Sequence, residues 1–241
     1  MVIDFKKNRL IVSQHIKPII SSSNKNSIMI FLPEEIEAYV ESHTQAEPEL
    51  LSKLNDETWQ KIVAPRMLSG HLQGRFLSLM SKMIRPKRIL EIGTYTGYSA
   101  LCLAEGLTDD GKLISLDIND ELKWIQDKYF NQSPLGKKIE VRFGNAINII
   151  PTLTDDFDIV FMDADKENYV NYYNLLIDRL HSGAYIFIDN VLWSGKVLTQ
   201  AHPNDEETVT LQQLNDIITK DPRVENVLVP IRDGLMVVRK R

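Results

Sequence analysis

The stretch ILEIGTYTGYSA, residues 89–100, combines a short apolar run, a glycine turn and the beginning of a helix. The run favours a buried strand over 88–93, and Gly93 and Gly97 let the chain turn sharply into a helix predicted over 97–107. In open α/β sheets a turn of this kind lies beside a nucleotide-like cofactor. Its spacing is G-x-x-x-G, whereas dinucleotide enzymes carry G-x-G-x-x-G. We therefore predict a cofactor crevice at this turn.

Downstream of the turn, apolar runs alternate with helical patterns. Strands separated by helices form a parallel sheet through right-handed crossovers. The last two strands are joined by Arg232 and Asp233 alone, so they form a hairpin in which one strand runs antiparallel. We predict a doubly wound, seven-stranded α/β sheet with a C-terminal antiparallel hairpin, which is the class I methyltransferase (Rossmann-like) architecture. Besides 88–93, the predicted strands are 113–117, 139–143, 158–163, 184–189, 226–231 and 234–239, with helices over 120–130, 167–180 and 206–219.

Upstream of the turn, the pattern predicts three additional helices. The first begins after Pro33, a residue suited to a helix start, the second covers about 47–63 and the third about 67–84. The third helix carries an apolar stripe at helical spacing, which we interpret as core. Its members are Leu68, Leu72, Phe76, Leu79, Met80 and Met83.

The first 28 residues differ in charge from the rest, because they carry five Lys or Arg residues and a single acid, Asp4. Polar residues interrupt their apolar patches, so no signal-peptide core forms. We predict an ordered N-terminal arm over 1–28, packed on this subunit or on a partner, and a non-functional extension is the alternative. Residues 29–241 are then predicted to be a single domain.

The composition limits the class of protein. A chain of 241 residues is long enough for one full α/β domain. Its net charge of −5 and pI near 5.6 argue against a protein devoted to nucleic acid. The single cysteine, Cys102, excludes an internal disulfide and fits a reducing cytoplasm. Because no apolar stretch reaches the length of a membrane span, we predict a cytoplasmic protein.

Two later apolar runs end in carboxylates, FDIVFMDADK at 157–166 and AYIFIDN at 184–190. Asp163 and Asp189 emerge where these predicted strands stop, and Asn190 follows Asp189 directly. Ligands bind open α/β sheets at the carboxyl ends of the strands. Carboxylate and amide oxygens without His or Cys suit a hard divalent cation such as Mg²⁺, Mn²⁺ or Ca²⁺. The three residues are therefore predicted metal ligands.

Three further residues near strand ends are candidates for cofactor contacts. Glu91 would repel a pyrophosphate but suits the cationic amino-acid part of S-adenosylmethionine, and a solvated strand-end Glu is the alternative. Asp117 ends the next strand, where a carboxylate accepts hydrogen bonds from both ribose hydroxyls. Asn145 flanks the expected adenine edge and is equally suited to begin a helix as its N-cap.

Several motifs together make the chain resemble the cation-dependent O-methyltransferases, the group of caffeoyl-coenzyme A and catechol O-methyltransferases. The similarity runs from about Phe31 to the C-terminus and is greatest to small bacterial members. The motifs are RMLSGHLQGRFL (66–77), LEIGTYTGYSA (90–100), MDADKENY (162–169), DNVLW (189–193) and RDGLMVVRK (232–240).

The resemblance implies a role for each matching residue. Metal ligation falls to Asp163, Asp189 and Asn190, and Lys166 matches the family's catalytic lysine, with Asp163 beside it. Met67, Trp193 and Ser194 fall near the acceptor; plant members carry Asn where this chain has Ser194, so the match there does not extend to their coenzyme A ester contact. A homodimer is also implied. The cofactor, S-adenosylmethionine, is expected beside Ser69, Glu91, Gly93, Thr94, Ser99, Asp117, Ala146 and Asp165.

The positive charge of the cofactor's sulfonium then suggests a mechanism. A sulfonium methyl is already activated, so the enzyme must align the acceptor oxygen and remove its proton. A divalent metal bound by both oxygens of a catechol lowers the hydroxyl pKa. Lys166 is predicted to accept or stabilise the departing proton if its own pKa is depressed, and an ordinary surface lysine is the alternative.

Three functions remain open on the sequence alone. The leading hypothesis is a metal-dependent O-methyltransferase that acts on small phenolics of the catechol type, such as caffeate or a caffeoyl ester. A second is methylation of a hydroxylated tRNA base, which the basic arm and the run RPKR at 85–88 favour and the acidic balance opposes. A distant third is an NAD-dependent oxidoreductase, which would leave the predicted metal ligands without a role.

Overall fold

Seven strands form one mixed sheet in the computed structural model, which describes residues 33–241. The strands are β1 Arg88–Ile92, β2 Lys112–Asp117, β3 Ile139–Phe143, β4 Ile159–Met162, β5 Tyr185–Ile188, β6 Val224–Val229 and β7 Leu235–Lys240. Their spatial order is β3-β2-β1-β4-β5-β7-β6, in which β1 to β5 pair parallel and β7 pairs antiparallel with both β5 and β6. The predicted doubly wound sheet with a C-terminal antiparallel hairpin is confirmed, while the predicted arm lies outside the described residues.

The hairpin differs from the prediction in its connection. β6 ends at Val229 and β7 begins at Leu235, so residues 230–234 join them rather than Arg232 and Asp233 alone. Pro230 has no backbone N–H to continue the strand pairing. The following turn uses left-handed backbone at Arg232, with φ of 50°.

Helices cover both faces of the sheet because successive strand side chains alternate between two cores. Leu90 packs in the core beneath the later helices, whereas Ile89 packs in the core beneath the earlier ones. No helix among the described residues is long and apolar enough to cross a membrane. The helices are α1 Glu34–Ser42, α2 Glu49–Lys61, α3 Gly70–Ile84, α4 Tyr98–Ala104, α5 Lys123–Gln132, α6 Ala146–Ile149, α7 Tyr169–Ile177 and α8 Glu206–Lys220.

The buried face of α3 coincides only in part with the predicted apolar stripe, of which Leu68 is buried and Phe76 and Met80 pack against the core. Leu79 is 55% exposed and Met83 is 70% exposed, so the prediction that they are core residues is wrong. The face toward α4 instead uses smaller and polar side chains that permit close approach: a Cβ at Gly74 would stand 2.6 Å from the Tyr98 ring. The residues buried on that face are Gln73, Gly74, Arg75, Leu77, Ser78 and Ser81.

Candidate active site

The carboxyl ends of β1, β4 and β5 form the floor of a cavity of about 630 Å³. β4 and β5 pair in register with Met162 opposite Ile188, so the next residues, Asp163 and Asp189, leave the sheet side by side. The backbone N–H groups of both continue the ladder, donating to Ile92 and Met162 respectively. Parallel pairing therefore brings the two predicted carboxylates together at one edge of the sheet.

The Asp189 carboxylate is held from two sides. It is 3% exposed, its Oδ1 accepts the Asn190 N–H at 2.7 Å, and its Oδ2 accepts Gln73 Nε2 at 2.7 Å. Burial, followed by the nearby charge of Asp163, raises the pKa of Asp189 to about 6. Asn190 itself has left-handed backbone, with φ of 61°.

Asp163, Asp189 and Asn190 all line this cavity, and their chemistry fits a hard divalent cation. The charge of Asp163 helps to raise the pKa of Asp189, and a cation between the two carboxylates would relieve that repulsion. Within residues 33–241, no group of three or more His, Cys, Asp and Glu side chains is placed to hold a metal ion. A cation here would therefore need the Asn190 amide as a third protein ligand.

The Lys166 side chain lies next to that of Asp163. Its buried ammonium donates to Asp163 Oδ1 at 3.0 Å and to the Ala164 carbonyl at 2.9 Å. Burial acts to lower the pKa of Lys166, but Tyr169 and Asp163 outweigh it and raise the pKa above its ordinary value. The predicted proton-accepting role required a depressed pKa, whereas these contacts favour the charged ammonium.

The glycine turn forms the side of the cavity expected to face the cofactor. Four of the residues that the resemblance places around the cofactor line this cavity, namely Gly93, Thr94, Ser99 and Ser69. Asp117 is not among the lining residues. Its Oδ2 accepts the backbone N–H groups of Thr94 at 3.1 Å and Tyr95 at 2.8 Å, so this carboxylate fixes the shape of the turn.

Glu91 lies beneath the turn rather than in the cavity. It is completely buried and accepts hydrogen bonds from the Ser99 hydroxyl at 2.6 Å and from the Ser115 hydroxyl. Burial raises the pKa of Glu91 to about 8, because only the two serine hydroxyls compensate for lost water. The alternative of a solvated strand-end Glu is therefore wrong.

Ala146 and Asp165 also lie outside the cavity lining. Ala146 begins α6, whose N-cap is Asn145: the Asn145 side chain accepts the Ile147 N–H at 2.9 Å. Asp165 is exposed and accepts the Tyr172 hydroxyl at 2.6 Å. The capping interpretation of Asn145 thus describes its contacts in this structure.

Aromatic and apolar side chains also line the cavity that contains the carboxylates. Met67, Trp193 and the exposed Trp59 of α2 line the cavity, and the Lys166 ammonium lies 5.8 Å from the Trp193 ring centroid. Ser194 lines an adjoining cavity of about 970 Å³ that shares Trp59 and Asn190 with the first. The three predicted acceptor residues therefore lie around one continuous opening.

Two polar residues of the site were not predicted, although both lie within quoted motifs. Gln73 reaches Asp189 from α3. Arg232 reaches from the β6–β7 turn to the loop before α3, where Nη1 donates to the carbonyls of Leu68, at 2.8 Å, and Ser69. Nothing local in the sequence signals either contact, because each joins segments more than 100 residues apart.

Known proteins are similar to this chain in sequence and in fold. Residues 41–241 match the family model described as O-methyltransferase. The chain is 37% identical over 205 residues to the caffeoyl-CoA O-methyltransferase of Petroselinum crispum, covering 80% of this chain and 85% of that protein. It is 35% identical to caffeoyl-CoA O-methyltransferase 5 of Nicotiana tabacum, with 80% and 85% covered. The chain belongs to the O-methyltransferase family.

Solved structures agree on fold and cofactor. The SAH-bound methyltransferase PaMTH1 of Podospora anserina superposes with a TM-score of 0.79 at 27% identity, covering 90% of this chain and 99% of that one. TomG of Streptomyces achromogenes, in complex with SAM, gives 0.78 at 26% identity, with 86% and 96% covered. This O-methyltransferase thus has the predicted class I fold and uses S-adenosylmethionine, and the NAD-dependent alternative is wrong.

Proposed function

We propose that this O-methyltransferase is cation-dependent and methylates a hydroxyl of a small catechol-type phenolic. The observation that carries the proposal is the pair Asp163 and Asp189, side by side at the ends of β4 and β5 next to an aromatic wall. The relatives at 35–37% identity named above are caffeoyl-CoA O-methyltransferases, which supports a phenolic acceptor. The same two carboxylates with Asn190 would hold the cation.

The chain's own charges support that chemistry. A bound divalent cation would supply a Lewis acid that lowers the pKa of a phenolic hydroxyl and orients a vicinal pair of oxygens. Lys166 then acts as a fixed positive charge rather than as a base, because its pKa is raised. Its ammonium, within hydrogen-bond distance of Asp163, stabilises negative charge that develops on the acceptor oxygen.

The side chains that line the cavity would position the methyl acceptor and the cofactor. Trp193 and Met67 offer apolar surface to an aromatic ring, and Trp59 lies across the opening. Ser69, Gly93 and Ser99 line the side on which the sulfonium would be held. Holding acceptor and methyl group in line converts a bimolecular reaction into an effectively unimolecular one.

A methyl-transfer assay with matched acceptors tests the proposal. Caffeate and protocatechuate carry adjacent hydroxyls, whereas p-coumarate is a monophenol of similar size. We expect methylation of the first two, little on p-coumarate, and rates that change little with salt. Robust methylation of hypomodified tRNA, with rates that collapse as salt rises and with only traces on every vicinal diphenol, would instead establish the nucleic-acid alternative.

We also propose a homodimer that uses the outer face of α3. Leu79 and Met83 are exposed there, and large exposed side chains grouped on one face mark interaction surfaces. Sedimentation of the wild type should give a dimer, and Met83→Glu should give a monomer. Lys137→Glu, at an exposed position outside α3, is the control, and a wild-type monomer at micromolar concentration would contradict the proposal.

A further inference from the structure

Gln73 is a fully buried amide whose one hydrogen bond joins α3 to the predicted cation site. Its Nε2 donates to Asp189 Oδ2 at 2.7 Å, and the side chain is 0% exposed. The other carboxylate oxygen, Oδ1, accepts the Asn190 N–H. Each oxygen of Asp189 therefore has one N–H donor, and rotation of the carboxylate would break both bonds.

Packing alone does not explain an amide at position 73. Its Oε1 is buried and has no hydrogen-bond partner among the described residues, which is unfavourable for an interior acceptor. Methionine or leucine has similar volume and would avoid that cost. The favourable contribution of Gln73 is thus its contact with Asp189.

The absence of charge on the Gln73 amide is also relevant to cation binding. An amide stabilises the ionised carboxylate without adding positive charge beside it, whereas a Lys or Arg would compete with a cation for Asp189. A neutral donor therefore suits a carboxylate that must bind a cation.

We propose that Gln73 is a positioning residue that holds the Asp189 carboxylate correctly rotated for a divalent cation. This inference rests on the proposed function, because it assumes that a cation binds at Asp163, Asp189 and Asn190. Residues that hydrogen-bond a metal ligand commonly change metal affinity by about 10- to 100-fold when they are replaced. We expect an effect of that size on cation affinity, with the fold intact.

Direct Mn²⁺ binding, measured by electron paramagnetic resonance on metal-stripped protein without acceptor, tests the inference. The variants Gln73→Met and Gln73→Leu remove the donor at similar volume. The matched control is Ser78→Ala, which removes a different buried hydrogen bond from α3 to a carboxylate, that of Ser78 to Glu105 at 2.7 Å. Thermal unfolding and SAH calorimetry report whether each variant folds and binds cofactor.

We expect both Gln73 variants to bind Mn²⁺ about 10- to 100-fold more weakly than the wild type, while their SAH affinity and that of the control stay unchanged. Wild-type-like Mn²⁺ affinity in either folded Gln73 variant would overturn the role of Gln73 alone. An equal loss in Ser78→Ala would do the same, because it would assign the effect to α3 in general. A wild type that binds no Mn²⁺ would overturn the proposed cation site and the role of Gln73 together.

Discussion

Gly93 lies against the backbone of Asp163, so close that a Cβ at position 93 would stand 1.8 Å from the Asp163 carbonyl oxygen. The glycine turn after β1 and the backbone of Asp163 after β4 are thus in direct contact. Gly93 also has φ of +99°, a region that L side chains rarely adopt. The glycine is required here by both its backbone conformation and the space available to it.

Replacing Gly93 by Ala should therefore displace Asp163 and disrupt the cofactor turn. The matched control is Gly183→Ala, because Gly183 has φ of +93° but nothing within 4 Å of its Cβ position. Both variants carry the strain of a left-handed Ala, about 1–2 kcal/mol. Only Gly93→Ala adds overpacking, about 1–3 kcal/mol more. Equal losses of unfolding free energy in the two variants, with SAH affinity intact, would contradict the contact.

Replacing Asp117 provides a second test, which concerns the predicted binding of the cofactor ribose. Its carboxylate holds the Thr94 and Tyr95 N–H groups, and the sequence places it where a ribose would bind. Asp117→Ala should weaken S-adenosylmethionine binding by about 1–3 kcal/mol, measured by calorimetry. The exposed Asp120→Ala serves as control. Unchanged affinity in a folded Asp117→Ala protein would refute the ribose assignment.

Glu91 should make stability fall as pH rises. An unfolded Glu loses its proton near its ordinary pKa, whereas burial raises the pKa of folded Glu91 to about 8. Between those values the folded state binds more protons, so unfolding becomes easier with increasing pH. Glu91→Gln does not titrate, and its unfolding free energy relative to wild type should therefore be higher at pH 8 than at pH 5. Denaturant titrations at the two pH values check this, and a pH-independent difference would disprove it.

Arg232 connects the β6–β7 turn to the loop that carries Met67 and Ser69. Arg232→Ala removes its hydrogen bonds to the carbonyls of that loop and should lower kcat/KM for the acceptor by an amount equivalent to about 1–3 kcal/mol. Arg232→Lys should not restore it, because an ammonium lacks the planar fork. Arg239→Ala, on the same hairpin, is the control. Acceptor kinetics like those of the wild type in Arg232→Ala would exclude this positioning role.

Sequence periodicity predicted the sheet well and the helix faces less well. β1 to β5 each lie within about two residues of their predicted bounds, because apolar runs ending in polar residues mark buried strands. On α3, however, two overlapping stripes fit helical spacing, and the less apolar one packs inward because Gly74 permits close approach to α4. The spacing of residues alone does not show which of two helix faces is buried when both faces have helical spacing.

In the candidate site, too, some features followed from the sequence and others did not. The convergence of Asp163 and Asp189 followed from strand ends in a parallel sheet. The direction in which the pKa of Lys166 is shifted did not, because it depends on Tyr169 and Asp163 in three dimensions. Nor did the contact of Gln73 with Asp189, which spans 116 residues of sequence. Local patterns thus predicted where the carboxylates emerge, and tertiary contacts decide how they are held.

The most direct test of the proposed function is methylation of caffeate by protein stripped of metal with a chelator, then assayed before and after addition of Mg²⁺. Because two adjacent carboxylates and the Asn190 amide would supply its protein ligands, we expect the rate to fall to background without the cation and to recover when it is restored. Asp189→Ala should show no recovery while it still binds SAH. Undiminished turnover in excess chelator, with the metal content confirmed to be nil, would contradict cation-dependent methyl transfer.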